Sequence, residues 1–204
     1  MTTGHDLAVQ SGPSAHERIL DAATRLFSEH GVRAVGVARV ISEAGVAKAT
    51  LYAHFPSKGD LVQAYLARQA DRAEREIDAL EQEGVGGVPL IRAVFDLAAR
   101  AAAQDGYAGC CFIAATAEHL EDAAGVAQVL ADQRASLRGR FVRCLDDDDP
   151  HRRDRTARQL VALLDGAKVA SLEDGAAAFD AVVPLIDVLV APSQTRAVGG
   201  RAQS

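Results

Sequence analysis

Residues 44–58 read Ala44-Gly45-Val46-Ala47-Lys48-Ala49-Thr50-Leu51-Tyr52-Ala53-His54-Phe55-Pro56-Ser57-Lys58. A short helical pattern over Val37 to Ala44 stops at Gly45, whose backbone freedom suits a sharp turn. After Gly45-Val46-Ala47 a second short helix opens at Lys48, and Pro56 ends it after Phe55. Two short helices about a glycine-containing three-residue turn, braced by an amphipathic helix before them, are a helix-turn-helix. Val40, Val46, Leu51 and Phe55 can close a small core beneath the pair. That leaves Lys48, Ala49, Thr50, Tyr52, Ala53 and His54 on the outer side and N-terminal end of the second helix. A helix held this way fits the DNA major groove and reads base edges from its first residues.

The bracing helix begins where Ser14 and Glu17 stand at capping-box spacing. Ile19, Leu20, Ala23, Leu26 and Phe27 then recur at helical intervals, and Gly31 follows as a stop. Ser57 and Asp60 repeat the capping-box spacing and open a long helix from Lys58 to about Glu83. Downstream, helices are expected over Val88–Ala103, Cys110–Leu120, Ala124–Leu145, Arg152–Leu172 and Ala176–Val190, with Pro184 kinking the last. Alanine fills about a fifth of the 204 residues, aromatics only 4%, and Trp is absent. That composition favours helix over strand, and no stretch alternates with period two for long. The expectation is all-α with nine helices. A disordered arm is expected over 1–13, a helix-turn-helix domain over 14–60, a second helical domain over 61–191, and a disordered tail over 192–204.

The stretch Leu26-Phe27-Ser28-Glu29-His30-Gly31, followed by residues 44–58, closely resembles the DNA-binding domain of TetR-family transcriptional regulators. The string Thr-Leu-Tyr-x-His-Phe-x-Ser-Lys at 50–58 carries most of that likeness. A looser one extends to Gly109-Cys110-Cys111-Phe112-Ile113 and Leu163-Leu164-Asp165-Gly166-Ala167. The resemblance implies that Lys48, Ala49, Thr50, Tyr52 and His54 face double-stranded operator DNA and that Lys58 holds a phosphate. It also implies a homodimeric repressor released by a small-molecule effector. The chain departs from the pattern at Ala53, where relatives often carry a longer polar residue, and at Gly36 and Ala47, where a capping hydroxyl is common. Each lost cap weakens its helix by about 1 kcal/mol.

The last two expected helices offer more apolar surface than one intramolecular contact needs, which suits a four-helix bundle between two chains. Leu160, Leu163, Leu164, Gly166, Ala167, Phe179, Val182, Val183, Ile186 and Leu189 are the candidate dimer residues. The preceding helices would surround the effector, as the resemblance implies, with Phe95, Tyr107, Cys111, Phe112 and His119 as candidate lining. Glu118, His119 and Asp122 lack metal-ligand spacing, and no nucleophile elbow, phosphate loop or HExxH motif is present. No metal, cofactor or enzymatic activity is therefore expected. Three cysteines, two of them adjacent, make no disulfide framework and suggest a reduced, cytoplasmic setting. No membrane span or secretory leader is expected. Two alternatives stay open: a thiol-responsive regulator using Cys110 and Cys111, and a helical protein-interaction module that has lost DNA binding.

The formal charge of −6 argues against nucleic acid only if it is spread evenly. Residues 1–60 hold six basic and six acidic side chains, whereas 61–204 hold 16 against 22. The acidic excess belongs entirely to the part that would sense and dimerise. Of three lysines in the chain, Lys48 and Lys58 fall within the helix-turn-helix string.

Overall fold

The computed structural model describes residues 12–117 and 124–191, and every regular element among them is helical. In chain order these are α1 (Ala15–His30), α2 (Val37–Ala44), α3 (Lys48–His54), α4 (Lys58–Gln82) and α5 (Gly87–Ala102). They continue with α6 (Cys111–Ala117), α7 (Ala124–Cys144), α8 (Pro150–Asp174), α9 (Ala177–Asp180) and α10 (Val183–Val190). The nine expected helices are present, the last in two pieces. Pro184 has no N–H to offer the Asp180 carbonyl, so the chain turns at Ala181 and Val182 and restarts with Pro184 in the first turn of α10. α8 starts two residues earlier than expected, because Asp149 caps it by accepting from the His151 N–H, with Pro150 leading.

The described residues form two compact units, one made of the chain up to Asp71 with Cys111–Leu130, the other of Arg72–Cys110 with the chain from Ala131 on. The first unit is larger than the 14–60 reading domain expected from sequence. Leu61, Val62, Tyr65 and Leu66 of α4 and Ala115 of α6 belong to its core with Ile19, Ala22, Ala23, Leu26 and Phe27 of α1. The Ser14–Glu17 capping box forms as expected, with Glu17 N–H donating to Ser14 Oγ at 3.2 Å and Ser14 N–H to Glu17 Oε2 at 2.9 Å. Its counterpart at α4 forms too: Asp60 N–H donates to Ser57 Oγ at 3.1 Å and Ser57 N–H to Asp60 Oδ2 at 2.9 Å. Arg68 pairs with Asp21, fastening α4 to α1.

In the second unit Leu90, Ile91, Val94 and Phe95 of α5 pack with Leu137 and Phe141 of α7, Leu160, Leu164 and Ala167 of α8, Phe179 and Ile186. Beside this core lies a charged cluster that sequence periodicity did not reveal. The nearly buried Arg140 of α7 reaches Glu74, Asp78 and Glu81, which share one stripe of α4 at spacings of four and three. Ser136 adds a hydroxyl bond to Glu74 at 2.7 Å. The carboxylates hold the guanidinium protonated against the opposing cost of its burial. No helix among the described residues is long and apolar enough to cross a membrane.

Candidate nucleic-acid interface

α2 and α3 are arranged by three local features. Gly45 adopts the left-handed conformation (φ 61°, ψ 41°) and its N–H returns to the last turn of α2. Val46 N–H donates to the Ile41 carbonyl at 3.4 Å, closing the turn. Phe55 is extended, as the residue before a proline must be, and ends α3. Val40 and Leu51 are fully buried, Phe55 is 4% exposed and Val46 packs against the same cluster, so the small core expected beneath the turn is present.

The opposite side of α3 is open. Lys48, Ala49, Tyr52, Ala53 and His54 are exposed and Thr50 is half-buried. Lys48 Nζ lies 5.9 Å from the centre of the Tyr52 ring, close enough for a cation–π contact that holds the ammonium near the first turn. His54 meets the His16 ring edge-on at 5.8 Å, and His16 stacks on Phe55 at 4.9 Å, tying the end of α3 to α1. Neither histidine contact was visible in the sequence, since residues 16 and 54 belong to different helices. The same holds for Arg39, which bonds His30 at 2.8 Å, and for Arg25, which pairs with Glu43 at 2.8 Å. Arg33 and Arg39 are exposed on the same unit.

Lys58 is placed differently from the open phosphate contact expected of it. Its ammonium donates to the Val32 carbonyl at 2.7 Å, bracing the segment between α1 and α2. Two of its three donors stay available. The missing caps are real: neither Gly36 nor Ala47 gives a side-chain bond to the helix it precedes.

The candidate effector-lining residues fall in both units. Phe95 and Tyr107 belong to the second unit, where Phe95 is 2% exposed and Tyr107 bonds Ser171 at 3.4 Å. Cys111 and Phe112 instead pack against the core of the first unit. The four described candidates are thus divided two and two between the units. His119 lies outside the described residues, as do Glu118, Asp122, most of the 1–13 arm and the 192–204 tail. Among the described residues no three metal-ligating side chains gather.

Half of the dimer candidates also need correction. Leu160, Leu164, Ala167, Phe179 and Ile186 are buried in the chain's own core, because they occupy the inward stripe of α8 and the inner sides of α9 and α10. Leu163, Val182, Val183 and Leu189 are half-buried, and Gly166 is exposed. The large apolar side chains that face outward are others: Val169, Leu172, Leu185 and Val188, between 51% and 73% exposed. Helical periodicity identifies an apolar helix but not which of two apolar sides its own core takes.

The profile of bacterial regulatory proteins of the tetR family matches residues 19–65, the stretch from mid-α1 into α4 that builds this interface. An HTH-type transcriptional regulator of Mycobacterium tuberculosis is 32% identical over 158 residues, covering 74% of this chain and 72% of the relative. The chain belongs to the TetR family of transcriptional regulators. The likeness extends beyond the reading head. A solved TetR-family regulator from Streptomyces coelicolor superposes with a TM-score of 0.77 at 29% identity, covering 86% of this chain and 94% of that one. A TetR-type regulator from Streptomyces avermitilis gives 0.72 at 28% identity, covering 87% and 96%. The repressor KstR of Rhodococcus jostii is 39% identical over 87 residues, 43% of this chain and 39% of that repressor. In this TetR-family chain the helix-turn-helix supplies DNA binding, and its function is that of a DNA-binding transcriptional regulator.

Proposed function

We propose that the chain is a homodimeric repressor whose α3 reads an operator through Lys48, Ala49, Thr50, Tyr52 and His54, and that a small-molecule effector releases it. The observation that carries this reading is the division of α3. Leu51 is wholly buried while Lys48, Tyr52 and His54 stand outward on a helix pinned at both ends. Lys58, anchored on Val32, sets the start of α4 and offers its remaining donors to a phosphate. KstR, a repressor with which the chain shares 39% identity over 87 residues, supports the sign of regulation.

Two-fold operators need two reading heads about one helical turn apart. Val169 and Leu172 on α8, with Leu185 and Val188 on α10, supply the apolar surface for pairing, since monomers rarely expose such patches. Gly166 of α8 would allow close helix approach. An apolar effector would enter the second unit beside Tyr107, whose hydroxyl contact with Ser171 gives it a polar end, and Phe95.

Fluorescence anisotropy on the DNA upstream of the protein's own gene, across a salt series, tests the DNA reading. Lys48→Ala should weaken binding to all sequences and lower the salt slope by about one per protomer, while Tyr52→Ala should erode preference for the specific site. Wild-type affinity and slope in both variants would refute the placement of α3 on DNA.

A further inference from the structure

We infer that the cleft between α7 and α8 binds the phosphate group of a small phosphate monoester, held by Arg134, Arg138 and Arg158 with its carbon portion on Ala131, Ala135 and Val161. The site lies wholly within the second unit. Its test needs no operator DNA, so it stands or falls apart from the regulator reading.

The cleft follows from two helical stripes. On α7, Ala131, Arg134, Ala135 and Arg138 recur at spacings of three and four, and so do Asp154, Arg158, Val161 and Asp165 on α8. Ion pairs bring the stripes face to face: Arg134 reaches Asp165 at 2.9 Å and Arg138 reaches Asp154 at 3.5 Å. Between them lies a cleft of about 260 Å³, lined by the three arginines with Ala131, Ala135 and Val161.

The charges in it do not balance. Asp154 is shared, since it accepts from Arg158 Nε at 2.8 Å while also facing Arg138. The bond from Arg158 holds its carboxyl below the usual carboxylate range, so it is ionised at neutral pH. Two carboxylates thus face three guanidiniums. Each guanidinium carries a five-donor fork, which two carboxylates cannot saturate. The contrast with the Arg140 cluster of the same unit is direct, because there three carboxylates grip one guanidinium. A spot of net positive charge also stands out in residues 61–204, where acids outnumber bases by 22 to 16.

The form of the cleft selects the ligand. The three arginine side chains are between 41% and 63% exposed, so an anion reaches them without opening the core. Exposed ion pairs contribute little, and displacing Asp154 or Asp165 from them costs correspondingly little. An incoming carboxylate would only replace these acids like for like. A phosphate monoester brings a second charge and a third terminal oxygen, which suits several guanidinium forks at once. The volume falls below the ~300–1,000 Å³ of drug-sized pockets, which limits the ester to a few carbon atoms. Val161 packs against the core of the unit and the two alanines are short, so they form an apolar floor for those carbons. By tying α7 to α8, the bound ester stabilises the second unit.

Isothermal titration of the full chain with n-butyl phosphate, at one ionic strength so that screening is constant, tests the site. The expected result is saturable binding, with inorganic phosphate and butyrate each about tenfold weaker, the first for want of carbon and the second for want of charge. Arg138→Gln should weaken butyl phosphate binding about tenfold, the scale of one lost charge-assisted bond. Arg100→Gln, exposed on α5, should bind as wild type. Asp165→Asn removes a competing carboxylate and should bind more tightly, a gain that a poorly folded variant would not give. Butyl phosphate should also raise the melting temperature of the wild type and leave that of Arg138→Gln unchanged. Absence of binding, wild-type affinity in Arg138→Gln, or no gain in Asp165→Asn would overturn the site. Equal affinity for inorganic phosphate or for butyrate would overturn its assignment to a phosphate ester.

Discussion

Replacing Arg140 with Ala removes the cation that pairs with Glu74, Asp78 and Glu81 in the cluster between α4 and α7. Breaking a buried ion pair from one side costs about 3–5 kcal/mol when the stranded charge cannot reach water. Here the guanidinium side chain is 9% exposed, but the three carboxylates are 31%, 49% and 38% exposed and can rehydrate. The lower end of that range applies, about 3 kcal/mol. Three carboxylates left along one stripe of α4 would repel one another and add roughly 0.5 kcal/mol. A chain of this length loses about 2–4 °C of melting temperature per kcal/mol, so Arg140→Ala should melt roughly 7–14 °C below wild type. Differential scanning calorimetry at neutral pH and low salt measures it. Adding Glu74→Ala should cost less than the sum of the two single changes, because both remove the same interaction. A melting point within about 2 °C of wild type, or strict additivity, would refute the view that the cluster stabilises the second unit.

Ala47→Ser should raise stability by up to about 1 kcal/mol, because residue 47 already has the extended backbone of an N-cap (φ −72°, ψ 151°) and lacks only the hydroxyl. Urea unfolding checks it, and an unchanged midpoint would show that the α3 terminus is satisfied in another way. Val188→Glu places a charge on the most exposed of the large apolar side chains, at 73%. It should shift sedimentation from dimer toward monomer while leaving the far-ultraviolet helix signal intact. Wild-type sedimentation would move the pairing surface elsewhere.

What the sequence showed and what it hid divide along a physical line. Capping at Ser14 and Ser57, the left-handed turn at Gly45 and the stop at Pro56 depend on neighbours within four residues, so their geometry is written locally. The exposed side of α3 was legible for the same reason, because burial of Leu51 and Phe55 sets the orientation of the residues between them. Long-range choices were not legible. α8 and α10 are apolar on more than one side, and only tertiary packing decides that Leu160 and Ile186 turn inward while Val169 and Val188 turn out. Cys111 and Phe112 pack against the core of the first unit, a choice that nothing in their own segment dictates. The Arg140 cluster hid more completely. Its acids sit at ordinary helical spacing on α4, indistinguishable in sequence from a solvated stripe, and its arginine lies 59 to 66 positions away. The charge balance of the chain takes a different meaning from this. Part of the acidic excess in 61–204 is spent on gripping Arg140, three carboxylates to one guanidinium, so it serves packing as well as solvation. The reading head, near neutral overall, must then bind DNA through a few placed cations and exposed helix ends rather than through bulk positive charge.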